Sequence, residues 1–318
     1  MKFLFVMDPV EGIDITKDST FVFLAEAQSR GHENFYCGIE DLIAGSNGLA
    51  ANTCTIEVNH TQDSHWAFGE RAMRDCNDFD CIFMRKDPPF DSDFFFATHL
   101  LSLVDDRKVF MFNRPAALRE ASEKMFIMRY PDLIAPTIVS SDSAQILSFC
   151  DEVGGDIVVK PLDGCAGAGI FRVRHGDLNN RSILETITEN GLHQVMAQKF
   201  LAASRQGDMR LIVIDGEPMG AMARVPRDDD LRGNIHVGGS CIAAQIGKRE
   251  REIVAAVAPA LDELGIYFSG FDIIGDCLTE VNVTSPTGVQ EINTLSNVKL
   301  EADVIDMVER KVAALPGT

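Results

Sequence analysis

A chain of 318 residues is long enough for two or three packed units, since single domains usually run to roughly 100–200 residues. Hydrophobic residues at 46% and charged residues at 24% are ordinary for a globular protein. The net charge of −19 argues against a nucleic-acid or anionic-membrane partner, because counterion release needs clustered Lys and Arg, yet it leaves room for a local basic pocket.

The chain begins with an apolar run, Phe3 to Met7, closed by Asp8 and Pro9. That run is too short for a signal-peptide core, and no later run approaches a membrane span, so a cytoplasmic protein is expected. Residues 2–7 read instead as a first buried strand. Residues 19–30 read as a helix with Phe21, Leu24 and Ala25 on one side and Gly31 as its stop. Residues 80–84 and 108–112 are two further short apolar runs that end in turn residues. Such alternation predicts a parallel sheet covered by helices, with ligands at the carboxyl ends of its strands. Asp8 and the segment 85–91 then share one crevice. Arg85, Lys86 and Asp87, stiffened by Pro88 and Pro89, suit a small zwitterionic substrate; a solvated loop with a rigid turn is the alternative.

From about residue 120 the pattern changes to hairpins and single helices. Residues 156–161 and 170–174 read as strands around a glycine-rich turn, 178–190 as a helix and 195–201 as a strand. Residues 208–214 and 218–225 flank the turn Asp215-Gly216-Glu217. Residues 249–264 form a strong helical pattern with Gly265 as its stop. Residues 266–276 and 277–283 predict a last hairpin, followed by one or two helices. The stretch 227–240 has no apolar periodicity, and a loop of that length is usually functional or disordered. The eight cysteines contain no C-x-x-C pair and the seven histidines no H-x-x-x-H cluster, so neither a zinc site nor a disulfide is expected.

Three segments carry chemistry. Gly164, Gly167 and Gly169 can turn backbone N–H groups toward phosphate oxygens, and Lys160 at the end of the preceding strand supplies a cation. No Gly-Lys-Ser/Thr follows, and Ile170 onward continues as a strand, so this is neither a Walker A loop nor a dinucleotide fingerprint. In the last hairpin Glu280 and Asn282 share a face, and a three-residue loop at residues 275–277 would set Asp272 opposite Glu280. Facing carboxylates repel, and a hard divalent cation such as magnesium removes that penalty. A two-residue turn would instead place Asp272 on the other face. Lys124, Lys160, Arg210, Arg224 and Arg232 each sit at an element end or in a loop. Singly they read as surface ion pairs, but around a glycine loop and an acidic hairpin they suit phosphoryl transfer.

The order Lys124, Lys160 with its glycine loop, Ala197-Gln-Lys-Phe-Leu and Asp272…Glu280-x-Asn282 resembles an ATP-grasp domain. The phrases Met84-Arg-Lys-Asp-Pro-Pro-Phe-Asp, Lys160-Pro-Leu-Asp-Gly, Asp215-Gly-Glu-Pro and Leu278-Thr-Glu-Val-Asn-Val-Thr-Ser-Pro-Thr look like the bacterial-type glutathione synthetase family, over nearly the whole chain. The resemblance implies an α/β (α+β) chain: a Rossmann-like N-terminal domain (1–120), an ATP-grasp lid subdomain (121–202) and a catalytic subdomain (203–318) with a mobile loop at 226–240. It implies that Lys124 and Lys160 contact ATP phosphates under Gly164, Gly167 and Gly169, and that Gln198, Lys199, Phe200 and Leu201 hold the adenine edge. Asp272, Glu280 and Asn282 would carry Mg2+ or Mn2+. Arg210, Arg224, Arg232 and Asn234 would line the reacting phosphates, and Arg85, Asp208, Ser285, Pro286 and Thr287 the peptide substrate. Its implied substrates are ATP, γ-glutamylcysteine and glycine, its implied assembly a homotetramer. The loop departs from the family pattern at Ala166, where paired glycines are expected. Another ATP-grasp ligase, of D-alanine–D-alanine type, and a non-catalytic ATP-binding scaffold are the competing readings. A nicotinamide dehydrogenase would need a G-x-G-x-x-G between strand and helix, which this chain lacks.

Overall fold

The computed structural model describes residues 1–61, 64–164, 168–227 and 240–316. The expected segments Gly167, Arg232, Asn234 and most of 226–240 lie outside the described residues, as does Ala166.

The first sheet is built from β1 (Lys2–Val6), β2 (Glu33–Cys37), β3 (Leu42–Gly45), β4 (Gly48–Val58), β5 (Trp66–Phe68), β6 (Ala72–Asp75), β7 (Cys81–Met84) and β8 (Phe110–Phe112). Strands β2, β1, β7 and β8 run parallel in that order, as the alternation predicts. The sheet is then extended by antiparallel pairing of β4 with β2, β3, β5 and β6. That extension carries no helix among the described residues of 42–75 and was not read from the sequence. Helix α1 (Ser19–Ser29) starts where Asp18 accepts the Phe21 N–H at 2.6 Å and ends before Gly31, whose φ of +79° suits glycine. Helices α2 (Ser92–Leu101) and α3 (Pro115–Glu120) follow β7 and β8.

The second sheet is wholly antiparallel, ordered β11 (Phe171–Arg174), β10 (Asp156–Pro161), β12 (Val195–Lys199), β9 (Thr137–Ser140), and is backed by α4 (Ser143–Glu152) and α5 (Asn180–Ile187). It has its own core of Ile146, Cys150, Ile157, Val159, Val173, Leu184, Val195 and Ala197. The third sheet, also antiparallel, runs β15 (Ser240–Ala243), β14 (Glu217–Val225), β13 (Asp208–Ile214), β16 (Phe268–Ile274), β17 (Cys277–Asn282). Helix α6 (Lys248–Leu264) precedes β16 and stops at Gly265, in the left-handed region at φ +78°. Helices α7 (Val289–Ser296) and α8 (Leu300–Ala313) complete the chain.

The first and third sheets share their cores. Phe23 meets Phe268 edge-on at 5.4 Å, and Phe112 stacks on Phe268 at 5.6 Å, so β16 is anchored in the aromatic packing of the first sheet. The Asn113 side chain completes the anchor: its amide donates to Phe268 O (2.7 Å) and Val283 O (3.0 Å) and accepts from the Tyr267 and Phe268 N–H groups. The hairpin carrying Asp272 and Glu280 is therefore held at both ends. No helix among the described residues is long and apolar enough to cross a membrane.

Candidate active site

One cavity of about 440 Å³ opens between the second and third sheets and reaches the carboxyl end of the first at Asp87 and Pro88. Lys124, Lys160, Gly164, Gln198, Lys199, Phe200, Leu201, Asp208, Arg210, Arg224, Asp272, Glu280, Asn282, Ser285, Pro286 and Thr287 all line it. Gly169 and Arg85 do not.

The acidic hairpin reaches the expected pairing by a different route. The turn holds two residues, Gly275 and Asp276, since Ile274 pairs with Cys277. Such a turn alone would face Asp272 away from Glu280. A bulge between Asp272 and Ile273 restores the register, so Asp272 does lie opposite Glu280. Thr279 occupies the bulge and donates its hydroxyl to Asp272 O at 2.9 Å.

Cationic side chains already relieve the repulsion between these acids, which the sequence reading assigned to a metal. Arg210 grips Asp272 with two bonds, Nε–Oδ1 at 2.6 Å and Nη2–Oδ2 at 3.1 Å. Arg224 adds a contact to Asp272 Oδ2 at 3.0 Å and holds Asp208 bidentately at 2.9 and 2.6 Å. Burial pushes the Asp272 carboxyl up, but Arg210 and Arg224 outweigh it and hold it well below the usual carboxylate range. Burial raises Asp208 despite Arg224. Burial lowers Arg224, but Asp272 and Asp208 lift it above its ordinary value. Glu280 pairs with Lys124 at 3.2 Å.

Both candidate phosphate lysines are buried. Lys124 donates to Gly164 O, tying the glycine loop to the hairpin through Glu280. Lys160 donates to Thr279 O at 3.2 Å, and burial brings its ammonium down to about 8 although Glu280 supports the charge. Gly164 is required by close approach: a Cβ there would stand 2.7 Å from Pro161 Cγ and 3.2 Å from Ala168 O. Gly169 sits at φ +71°.

Arg85 is buried at 3% exposure behind the segment Ser285, Pro286 and Thr287. It donates to Thr20 Oγ1 (3.0 Å) and Pro286 O (3.3 Å), while Arg210 donates to Thr287 O at 3.0 Å. The strip Ser285–Pro286–Thr287 is thus suspended between two arginines. Asp8 accepts the Asp87 N–H at 2.8 Å and pairs with Lys86 at 2.7 Å, so the two crevice segments do meet.

Sequence reasoning missed Glu123 and Arg172, both of which line the cavity. Glu123 Oε1 accepts from the Val283 N–H (3.1 Å), the Thr284 N–H (3.3 Å) and Thr284 Oγ1 (2.8 Å), joining the segment of Lys124 to the end of β17. Burial, then Glu280, raises its carboxyl. Its position beside Lys124 was the available signal. Arg172 lies on the cavity face of β11, two residues after Ile170, also a lining residue.

The lining charges nearly cancel: Lys124, Lys160, Arg172, Lys199, Arg210 and Arg224 stand against Asp87, Glu123, Asp208, Asp272 and Glu280. A polyphosphate entering here would bring negative charge with no matching surplus among the described residues. A divalent cation fits this balance. Among the described residues no group of three or more His, Cys, Asp or Glu gathers to hold one. One or two carboxylates with substrate phosphates suffices for magnesium. Asn282 spends its amide N–H groups on Gly270 O (3.0 Å) and Asp272 Oδ2 (3.3 Å), which leaves its carbonyl oxygen as a hard donor beside Glu280.

Comparison with known proteins agrees with this geometry. The family models for the prokaryotic glutathione synthetase N-terminal domain and ATP-grasp domain match residues 1–119 and 123–297. The glutathione synthetase of Vibrio parahaemolyticus is 40% identical over 308 residues, covering 96% of this chain and 97% of its own. That of Yersinia pestis is 42% identical over 310 residues, covering 97% of each. The D-alanine–D-alanine ligase of Bacillus anthracis complexed with ATP superposes with a TM-score of 0.61 over 98% of this chain and 97% of its own, at 13% identity, a likeness of fold. The chain belongs to the prokaryotic glutathione synthetase family, an N-terminal domain followed by an ATP-grasp domain.

Proposed function

We propose that this enzyme joins γ-glutamylcysteine to glycine at the expense of ATP, through an acyl phosphate, releasing glutathione, ADP and phosphate. The observation that carries the reading is that the base-edge segment 198–201, two buried lysines and the acidic hairpin converge on one cavity. Lys124 and Lys160 would take the ATP phosphates under the loop of Gly164, Gly167 and Gly169. Gln198, Lys199, Phe200 and Leu201 would hold the adenine.

An ATP-grasp ligase uses ATP with a divalent cation; we take the cation here to be Mg2+, with Mn2+ as a substitute. Asp272, Glu280 and Asn282 would hold it, and bound there it supplies charge neutralisation for the phosphates. The chemistry needs no side-chain nucleophile. The cysteinyl carboxylate oxygen attacks the γ-phosphorus as the bond to the ADP oxygen breaks. Glycine's neutral amine then attacks the acyl carbon, the bond to phosphate breaks, and the amine proton is lost. Arg210 and Arg224, oriented by Asp272 and Asp208, face the charge that develops on the transferred group. Arg232 and Asn234 would complete that clamp from a lid over 226–240 that excludes water. Ser285, Pro286 and Thr287, suspended by Arg85 and Arg210, would position the peptide substrate with Asp208.

The same reading divides the chain at 1–120, 121–202 and 203–318. A separate core under the second sheet supports treating 121–202 as a lid. A cytoplasmic homotetramer completes the proposal. The test is ADP release with ATP, Mg2+, γ-glutamylcysteine and glycine, each omitted in turn. The reading requires all four for turnover and glutathione in the product; turnover with D-alanine in place of the peptide and glycine would overturn it.

A further inference from the structure

The base end of the cavity holds an ion pair that no step above uses. On β11, Arg172 lies opposite Val158 of β10, and Val158 lies opposite Gln198 of β12. Side chains directly opposite across strands share a face, and all three of these line the cavity. The intervening residues Ile157, Val159 and Val173 face the other way, into the core of this sheet. Arg172 therefore stands on the working face of the lid.

Asp156, two residues before Val158, grips Arg172 through Nε–Oδ1 at 2.7 Å and Nη2–Oδ2 at 2.5 Å. A two-pronged arginine–carboxylate pair leaves the guanidinium plane little freedom. Held so, its central carbon stands 3.5 Å from the ring centroid of Phe200, which places the cation on the ring face. Asp156 also accepts the Phe200 N–H on its main-chain oxygen at 3.0 Å. One residue thus fixes Phe200 twice, through its backbone directly and through its ring by way of Arg172. The pair is only partly shielded, with the Arg172 side chain 14% and the Asp156 side chain 34% exposed, so it is not a core element of the sheet.

We propose that Arg172, oriented by Asp156, is a positioning residue for the nucleotide: it sets the Phe200 ring at the mouth of the base slot before ATP arrives. This rests on the assignment of the cavity to ATP. A preformed slot avoids an ordering cost on binding, so its loss appears in ATP affinity and not in the chemical step.

The test compares wild type with Arg172→Met, which keeps a stem of similar length but removes the cation and the fork. Arg172→Met is expected to raise the KM for ATP about tenfold, the size of a well-placed cation–aromatic contact, with kcat and the other two KM values within about twofold. In a Phe200→Leu background the same change is expected to cost less than about twofold, because its partner is gone. A structural role alone would lower kcat and folded yield together and act equally in both backgrounds, which would overturn the proposal. Asp156→Asn, which keeps the shape and breaks the fork, should reproduce most of the ATP effect and serves if Arg172→Met does not fold. Binding of a non-hydrolysable ATP analogue separates the two levels of failure. If wild type binds it and Arg172→Met binds as tightly, the positioning role is wrong; if wild type does not bind it, the cavity assignment itself is wrong.

Discussion

Replacing Asp272 with Asn should destabilise the ligand-free enzyme far more than a loss of one surface acid. Asp272 accepts two bonds from Arg210 and one from Arg224 while only 6% exposed. Arg224 keeps both bonds to Asp208 in the variant, but Arg210 loses the charge and one prong of its two-pronged partner, keeping the bond to Thr287 O and a single bond to the Asn carbonyl oxygen. The Asn amide would also turn a donor toward a guanidinium that can only donate. Breaking a buried pair on one side costs about 3–5 kcal/mol, and the surviving Asp208–Arg224 pair places this case at the lower end, about 3 kcal/mol. Urea denaturation at pH 7 without nucleotide or metal reads this as a lower midpoint at unchanged slope. The pH dependence follows from the depressed Asp272 pKa. Its stabilisation is complete above the unfolded value of 3.8 and is lost as pH falls through the lower folded value. The gap between wild type and variant should therefore hold from pH 7 to about 5 and close in stronger acid. An unfolding free energy within about 1 kcal/mol of wild type at pH 7 would refute the view that the arginines, and not a metal, stabilise the facing acids in the free enzyme.

Glu123→Ala, which strips three hydrogen bonds from the end of β17, should lower kcat and raise the Mg2+ needed for half activity. Glu123→Gln keeps an accepting oxygen and should lie within a few-fold of wild type in the same titration. Lys160 loses its proton at about 8 in the free enzyme, against 10.5 when exposed, so between those values the folded chain holds fewer protons than the unfolded chain. That group therefore favours folding more as pH rises through the window, whereas ATP phosphates restore its charge and bind more weakly as pH rises. Calorimetry at about pH 9 in buffers of different ionisation enthalpy should show proton uptake with ATP, and none would count against phosphate contact at Lys160. Asn113→Ala removes four hydrogen bonds, three of them buried, between the end of the first sheet and the hairpin and should cost about 2–4 kcal/mol in urea denaturation.

Much of this was legible in the sequence because period and punctuation agreed with the tertiary structure. Strands 156–161 and 208–214 appear with those bounds, and Gly31 and Gly265 stop their helices in left-handed conformations. The antiparallel extension of the first sheet was missed because β3, β5 and β6 are only three or four residues long and mostly exposed, and because the long β4 is fixed by pairing with β2 and β6, which lie well apart from it in the chain. The Asp272–Glu280 pairing came out as one of two alternatives. The turn length argued against it, and only a bulge, a local feature without a clear sequence mark, restored it. Arg210, Arg224 and Asp272 were each identified, but their mutual pairing depends on three strands meeting in register. Glu123 and Arg172 escaped because their roles come from contacts more than a strand away.

The central claim is that the peptide carboxylate is activated as an acyl phosphate. It is tested most directly with γ-glutamylcysteine carrying oxygen-18 in the cysteinyl carboxylate, turned over with ATP and glycine, and the released phosphate analysed by mass. The account predicts one labelled oxygen in each phosphate and unlabelled ADP. Label appearing in AMP, or phosphate free of label while glutathione forms, would contradict it.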